Sequence, residues 1–225
     1  MKKICFLVLV VAFLAGCRSV PAPRVSILGD SYSTFQGWIP EGNAVWYPYA
    51  ERSVNDVTEA SECWWSQVIE ALGGELEANE SWSGSTVCYT SYNGIDRRDS
   101  SFVTRADRLG APTLILVCGG TNDSWANSPL GEYQWSDWTD DDLLAFRPAM
   151  AKLLFDLKTQ YPRARIFFIL NSELKPEIND SVHVACAHYG VPCIDLENID
   201  KQGGHPSVAG MKAFAEQVVK AVRER

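Results

Sequence analysis

The stretch Ile27-Leu28-Gly29-Asp30-Ser31-Tyr32-Ser33 decides the fold. It follows the apolar run Arg24–Leu28, which reads as a buried strand, and it turns sharply at a glycine. A hydroxyl at Ser31 therefore stands at the carboxyl end of a strand. That is where open α/β sheets place their sites. Alone, Gly-Asp-Ser describes a turn or a helix cap equally well.

Working outward, three more apolar runs read as parallel strands: Thr113–Cys118, Arg165–Leu170 and Val191–Leu196. Glu75–Asn79 is a weaker candidate. Helical periodicity alternates with them, over Trp64–Leu72, Asp141–Tyr161, Ile178–Tyr189 and Ser207–Val222. Strand–helix alternation of this kind predicts a doubly wound α/β sandwich. Two stretches break the rhythm. Residues 37–63 and 124–139 are long, turn-rich and aromatic, and loops of that length in a compact domain tend to be functional.

The amino terminus has a different composition. Lys2 and Lys3 precede the apolar run Ile4–Ala15, and Leu14-Ala15-Gly16-Cys17 closes it with small residues. The run is too short to span a bilayer comfortably and reads as an export signal. Its ending resembles a bacterial lipoprotein signal. That resemblance implies cleavage before Cys17, lipid on the Cys17 thiol, and a membrane anchor facing the periplasm or the cell exterior. The expected organisation is a signal at 1–16, a tether at 17–23 and one domain at 24–225. Loss of Lys2 and Lys3 would shift the net charge from −8 to −10. This acidic balance, with no basic cluster, argues against a nucleic-acid partner. Five cysteines follow Cys17: Cys63, Cys88, Cys118, Cys186 and Cys193. Cys118 is expected to be a buried free thiol, while Cys186 and Cys193 are near enough in sequence to pair. No Cys-x-x-Cys spacing is present, so a zinc or thioredoxin-type site is not expected, and neither metal nor cofactor is.

A serine needs a base to become a nucleophile. The chain has three histidines. His183 and His188 fall within a helical segment, on different faces. His205 follows Gly203-Gly204, precedes Pro206 and stands at the entrance of the last helix, a context that fixes a side chain on a strand–helix loop. Oxyanion donors are also required. Gly119-Gly120-Thr121-Asn122-Asp123 begins at the carboxyl end of its strand and offers the Asn122 amide. Ser83-Gly84-Ser85 follows the weaker strand and offers a backbone N–H at Gly84.

Together these four segments resemble the SGNH (GDSL-type) hydrolase family. Ser31 lies in Gly-Asp-Ser-x-Ser, Gly84 follows, Asn122 lies in Gly-x-Asn-Asp, and His205 comes near the end. The resemblance spans nearly the whole chain beyond residue 17. It implies a flavodoxin-like three-layer α/β/α sandwich with a mainly parallel sheet. It also implies Ser31 as nucleophile, His205 as general base, and the Ser31 and Gly84 N–H groups with the Asn122 amide as oxyanion donors. One position departs from the pattern. The family carries an acid three residues before the histidine, and Gln202 stands there. Gln202 can orient an imidazole through its carbonyl oxygen but supplies no charge. Three outcomes remain open: Asp200 swings in, a backbone carbonyl supports a Ser–His dyad, or the enzyme is slow.

Eight tryptophans, all beyond the signal, suit flat sugar faces and favour an acetylated glycan or other small ester as substrate. Arg97 and Arg98 offer cations for an anionic substrate. The alternatives are a glycan-binding lipoprotein with a degenerate site, a lipid- or thioester-directed acyl hydrolase, and an acyltransferase. Oligomeric state is not legible.

Overall fold

The computed structural model describes residues 21–51 and 53–225. The signal sequence and Cys17 lie outside the described residues. Among the described residues, no helix is long and apolar enough to cross a membrane.

Five parallel strands form the central sheet: β1 (Arg24–Gly29), β2 (Glu75–Ser81), β3 (Leu114–Cys118), β4 (Arg165–Leu170) and β5 (Cys193–Asp195). Their order is β2-β1-β3-β4-β5, so β1 is flanked on both sides and the direction of winding across the sheet reverses between β1 and β3. The weak candidate at Glu75 is thus a full strand, paired along the whole of β1. The helices are α1 (Trp64–Leu72), α2 (Phe102–Arg105), α3 (Thr121–Ala126), α4 (Phe146–Gln160), α5 (Pro176–Tyr189) and α6 (Val208–Glu224). A two-stranded hairpin, β6 (Lys201–Gln202) with β7 (His205–Pro206), precedes α6.

Strand alternation divides the core into two layers. Ile115, Val117, Ile166 and Phe168 face α2, α4 and α5, with Met150, Leu153 and Val182 among their neighbours. Leu114, Leu116, Phe167 and Ile169 face the opposite way onto α1 and α6, where Trp64 stacks on Phe214 with ring centroids 4.4 Å apart. Both faces of the sheet are therefore buried, as parallel sheets require. This is the three-layer arrangement expected from the sequence.

Most element ends move by one or two residues from the sequence expectation, and two of the shifts come through a proline. The segment expected to be helical from Asp141 opens instead as a short turn at Asp142–Leu144, and α4 starts at Phe146 after an extended Ala145. Pro148 has no N–H to return to Leu144. It fits the first turn of a helix but not its interior. Strand β5 pairs only from Cys193, because Pro192 lacks an N–H, although its carbonyl accepts from Phe168 N–H at 3.0 Å. The five thiols are all free; Cys118 is fully buried, and Cys186 and Cys193 are unbridged.

Candidate active site

Strand β1 ends at Gly29, and the chain turns at once. A Cβ on Gly29 would lie 2.5 Å from Ser33 Oγ and 2.7 Å from Ser81 Oγ, so only glycine fits between β1, the turn and β2. Asp30 closes the turn by accepting from Tyr32 N–H at 3.0 Å. Ser31 is the first residue of the resulting 3₁₀ turn and is 3% exposed.

His205 reaches it from the other side of the sequence. Its Nε2 lies 2.8 Å from Ser31 Oγ, and its Nδ1 lies 3.1 Å from the Gly203 carbonyl. A carbonyl can only accept. Nδ1 therefore carries the hydrogen, and Nε2 offers its lone pair to the Ser31 hydroxyl. Gly203 has φ +58°, and a Cβ there would sit 2.8 Å from Val54 Cγ1. The left-handed bend that points its carbonyl at the imidazole is thus open only to glycine. Burial pushes the His205 pKa down to about 4, against the opposing effect of the Gly203 carbonyl, and the Lys201 cation pushes it the same way as burial. The ring is neutral at neutral pH.

Among the described residues, no carboxylate touches this histidine. Asp200, expected as one candidate support, accepts a hydrogen bond from the Ser207 hydroxyl, and its carbonyl accepts from Ser207 N–H at 3.1 Å. Ser207 in turn caps α6 by accepting from Gly210 N–H at 3.1 Å. Asp200 is thereby committed to the entrance of α6 rather than to His205. Gln202 is exposed, and its amide donates to Asp56 Oδ2 at 3.4 Å. Of the three arrangements open at the sequence level, the geometry is that of a backbone carbonyl behind a Ser–His pair.

The histidine loop is held by neutral groups. Tyr32 OH donates to the Gly204 carbonyl at 2.7 Å, and Tyr47 OH to the Pro206 carbonyl at 2.9 Å. The Asn55 amide donates to the carbonyls of Gln202 and Pro206, both at 3.2 Å. Trp46 lies flat on the imidazole, with ring centroids 3.6 Å apart and planes 8° apart. Trp125 meets it edge-on at 6.1 Å. Sequence reasoning marked residues 37–63 as a functional loop but did not single out Tyr47 or Asn55. Their partners are backbone carbonyls about 150 positions away, which carry no side-chain signal.

The remaining donors converge from β2 and β3. The Asn122 amide nitrogen donates to the Ser85 carbonyl at 2.9 Å, leaving one amide hydrogen unspent. Its Oδ1 accepts from Tyr92 OH at 2.7 Å, which fixes which end of the amide is the donor. Among the described residues, the backbone N–H groups of Ser31 and Gly84 make no internal hydrogen bond. Asp123 is fully buried and accepts from Val87 N–H at 2.8 Å and Cys88 N–H at 3.2 Å, pinning the Gly84 loop onto α3. Burial raises the Asp123 carboxyl to about 6, although those two donors pull it down.

Beneath the serine turn lies a second buried charge set. Arg105 is fully buried and donates to the carbonyls of Ser100 at 2.9 Å and Gly29 at 3.2 Å, to that of Glu80, and to the Ser85 hydroxyl at 2.9 Å. It ties the end of β1 to the loop that carries Gly84. Burial raises the Asp30 carboxyl to about 7, while the Tyr32 N–H and the Arg105 cation lower it. Nothing in the local sequence around Arg105 distinguishes it from a surface arginine.

One group of possible metal ligands is present among the described residues. His183 Nε2, Cys193 Sγ and Asp195 Oδ1 lie within 4.8 Å of one another, at the far edge of the sheet on α5 and β5. His183 and Asp195 already contact each other at 2.7 Å.

Comparison with known proteins follows the same lines. Residues 23–222 match the family model of GDSL-like lipases and acylhydrolases. The fold is similar to that of a Bacteroides uniformis protein described as a GDSL-like lipase, at 51% identity and TM-score 0.88, covering 91% of this chain and 97% of that one. A Bacteroides ovatus protein of the same description is 47% identical, with TM-score 0.89 and coverage of 92% and 100%. An acetyl xylan esterase of Butyrivibrio proteoclasticus shares the fold at 20% identity and TM-score 0.62, with coverage of 92% and 65%. No curated protein matches the chain. With nearly all of its domain matched, the chain belongs to the GDSL-like lipase/acylhydrolase family of ester hydrolases.

Proposed function

We propose that this protein hydrolyses acyl esters, acetyl esters of carbohydrates foremost, through an acyl-enzyme on Ser31. The observation that carries the reading is the 2.8 Å contact between His205 Nε2 and Ser31 Oγ, beside three unspent hydrogen-bond donors.

The chemistry follows from the geometry. Ser31 Oγ attacks the ester carbonyl carbon as its proton passes to His205 Nε2. Negative charge gathers on the former carbonyl oxygen, which accepts from the Ser31 and Gly84 N–H groups and the free Asn122 amide hydrogen. The tetrahedral species collapses. The carbon–oxygen bond to the alcohol breaks, and the alkoxide takes the proton from His205. Water then attacks the acyl-enzyme, giving its proton to His205. Collapse releases the acid and returns the proton to Ser31.

Histidine becomes a cation in both steps, without a carboxylate beside it. The Gly203 carbonyl dipole and the Trp46 ring face both favour that cation. Each supplies partial charge only, which supports a slower reaction than a full triad gives. In a well-studied serine protease, loss of the triad carboxylate costs about 10⁴-fold.

Carbohydrate as the alcohol is supported by the aromatic surround. Trp46 and Trp125 flank His205, and Trp82 stands half-buried beside Gly84. The acetyl xylan esterase noted above, on the same fold, is consistent with this choice. Export and a lipid anchor on Cys17 belong to the same proposal and rest on the sequence of residues 2–17. Mass spectrometry of the amino-terminal peptide tests them.

Ser31→Ala is expected to lower kcat on 4-nitrophenyl acetate by about 10⁴-fold or more. A fluorophosphonate is expected to label Ser31 in the wild type and not in His205→Ala. Wild-type turnover in Ser31→Ala would refute the nucleophile. Absence of labelling together with intact glycan binding would favour a binding module.

A further inference from the structure

Beside the oxyanion donors lies a groove of about 380 Å³, and Gly84 forms part of its wall. Trp82, Tyr92, Ile95 and Arg97 line it as well. Tyr92 also donates to Asn122 Oδ1 at 2.7 Å, so the groove shares Gly84 and Tyr92 with the oxyanion donors and their support. Among the described residues, no acidic residue lines it, although the whole chain carries a net charge of −8, and the charged residue in its wall is Arg97.

The two adjacent arginines differ sharply. Arg98 is locked, with its guanidinium 2.6 Å from Asp96 and 2.9 Å from Asp140. Among the described residues, the Arg97 guanidinium has no acid or carbonyl partner. Its backbone N–H alone is engaged, to the Tyr89 carbonyl at 2.8 Å. Arg97 is held in place through its backbone and exposes a planar fork of donors beside a half-buried tryptophan. A guanidinium pairs with a carboxylate through two parallel hydrogen bonds, and an indole face or edge packs on a sugar ring.

We infer that this groove binds the alcohol part of the ester and that Arg97 selects a carboxylate-bearing sugar, so that the substrate is an acylated uronic-acid glycan. The inference rests on the esterase reading. It adds to that reading a charge requirement that an esterase for neutral glycans would lack. Arg97 would act on binding and specificity, because the reacting atoms lie with Gly84 and Asn122.

The test uses two probes that differ only at C6: an O-acetylated methyl glucuronoside and the matching O-acetylated methyl glucoside. Wild-type kcat/KM is expected to favour the uronoside about five- to tenfold at low salt, as an accessible bidentate ion pair allows. Raising the salt should reduce that preference. In Arg97→Gln the ratio should fall towards one through a higher KM for the uronoside, and Arg97→Lys should retain part of it. A wild-type ratio of one, or a ratio unchanged in Arg97→Gln, overturns the inference. A second arm measures binding of the intact uronoside to Ser31→Ala, with and without Arg97→Gln, by calorimetry. It still decides the role of Arg97 if turnover fails. Uronoside binding lost with Arg97 supports the inference, and binding equal to that of the glucoside refutes it. Failure of the esterase reading itself shows separately, as absence of 4-nitrophenyl acetate hydrolysis by the wild type.

Discussion

The serine side of the site is built on buried charge: Arg105 reaches the carbonyls of Gly29 and Glu80 and the Ser85 hydroxyl, close to the carboxyl group of Asp30, and the buried Asp123 carboxyl holds the Val87 and Cys88 N–H groups. The histidine side is built on neutral groups, with Tyr32, Tyr47 and Asn55 donating to backbone carbonyls and Trp46 stacked on the ring. The difference follows what each side must do. The serine side has to hold three N–H donors from three separate segments of the chain in one place, and strong, many-partner bonds suit that task. The histidine side has to let a ring gain and lose a proton in a buried place. Neutral contacts allow this without locking either form.

Among changes that leave the Ser31–His205 pair intact, the largest effect is expected from breaking the serine side at its charge-stabilising end. Asn122→Ala removes one oxyanion donor and leaves Ser31 and His205 in contact. It should lower kcat about 10²- to 10³-fold with little change in KM. Steady-state kinetics on 4-nitrophenyl acetate measures this. A loss confined to KM would mean that Asn122 binds substrate rather than the developing oxyanion.

Next is Arg105→Met, which separates support from chemistry. It removes the donor to the carbonyls of Ser100, Glu80 and Gly29, of which Gly29 keeps the Trp82 N–H at 3.1 Å, and it removes the cation near Asp30. The expected cost is about 3 kcal/mol of stability, seen in urea denaturation. Tyr32→Phe, the matching cut on the histidine side, removes the bond to the Gly204 carbonyl and the one accepted from the Asn171 amide at 3.2 Å, each worth about 1 kcal/mol. Equal costs would erase the contrast between the two sides.

The pH profile is a gentler probe. His205 is pushed down to about 4, chiefly by burial. It acts as base when neutral, so kcat/KM should rise with pH through about 4 and stay level towards neutrality. A limb near 6.5, the ordinary imidazole value, would mean that something in solution stabilises the cation as a carboxylate would.

How much of this was legible in the sequence differs between the two sides. The strand–turn–serine at Ile27–Ser33, the Asn122 segment and His205 could be read locally, because a glycine turn after an apolar run has a one-dimensional signature. Strand periodicity placed the sheet, and prolines at 148 and 192 moved two boundaries that periodicity could not see. The bracing residues were hidden. Arg105 reads as one more basic residue, and Asn55 acts on carbonyls that exist at every position of any chain. What supports His205 was the least legible of all, since the answer is the Gly203 carbonyl, fixed by a backbone angle of +58°.

The smallest effects test that last point. Asp200→Asn keeps an oxygen to accept from Ser207 and leaves the histidine untouched. It should change kcat no more than about twofold, as surface substitutions away from the chemistry do. Gln202→Asp restores the acid that the family pattern carries at this position. Here it should gain nothing, because the side chain points towards Asp56 and the Gly203 carbonyl already occupies Nδ1. A like charge beside Asp56 is mildly unfavourable, so a loss of up to about threefold is expected at low salt. A gain of tenfold or more, with the acid limb moved up, would mean that the hairpin can swing a carboxylate onto Nδ1. The neutral support of His205 would then be a property of Gln202 alone, and the two sides of the site would differ by one side chain rather than by construction.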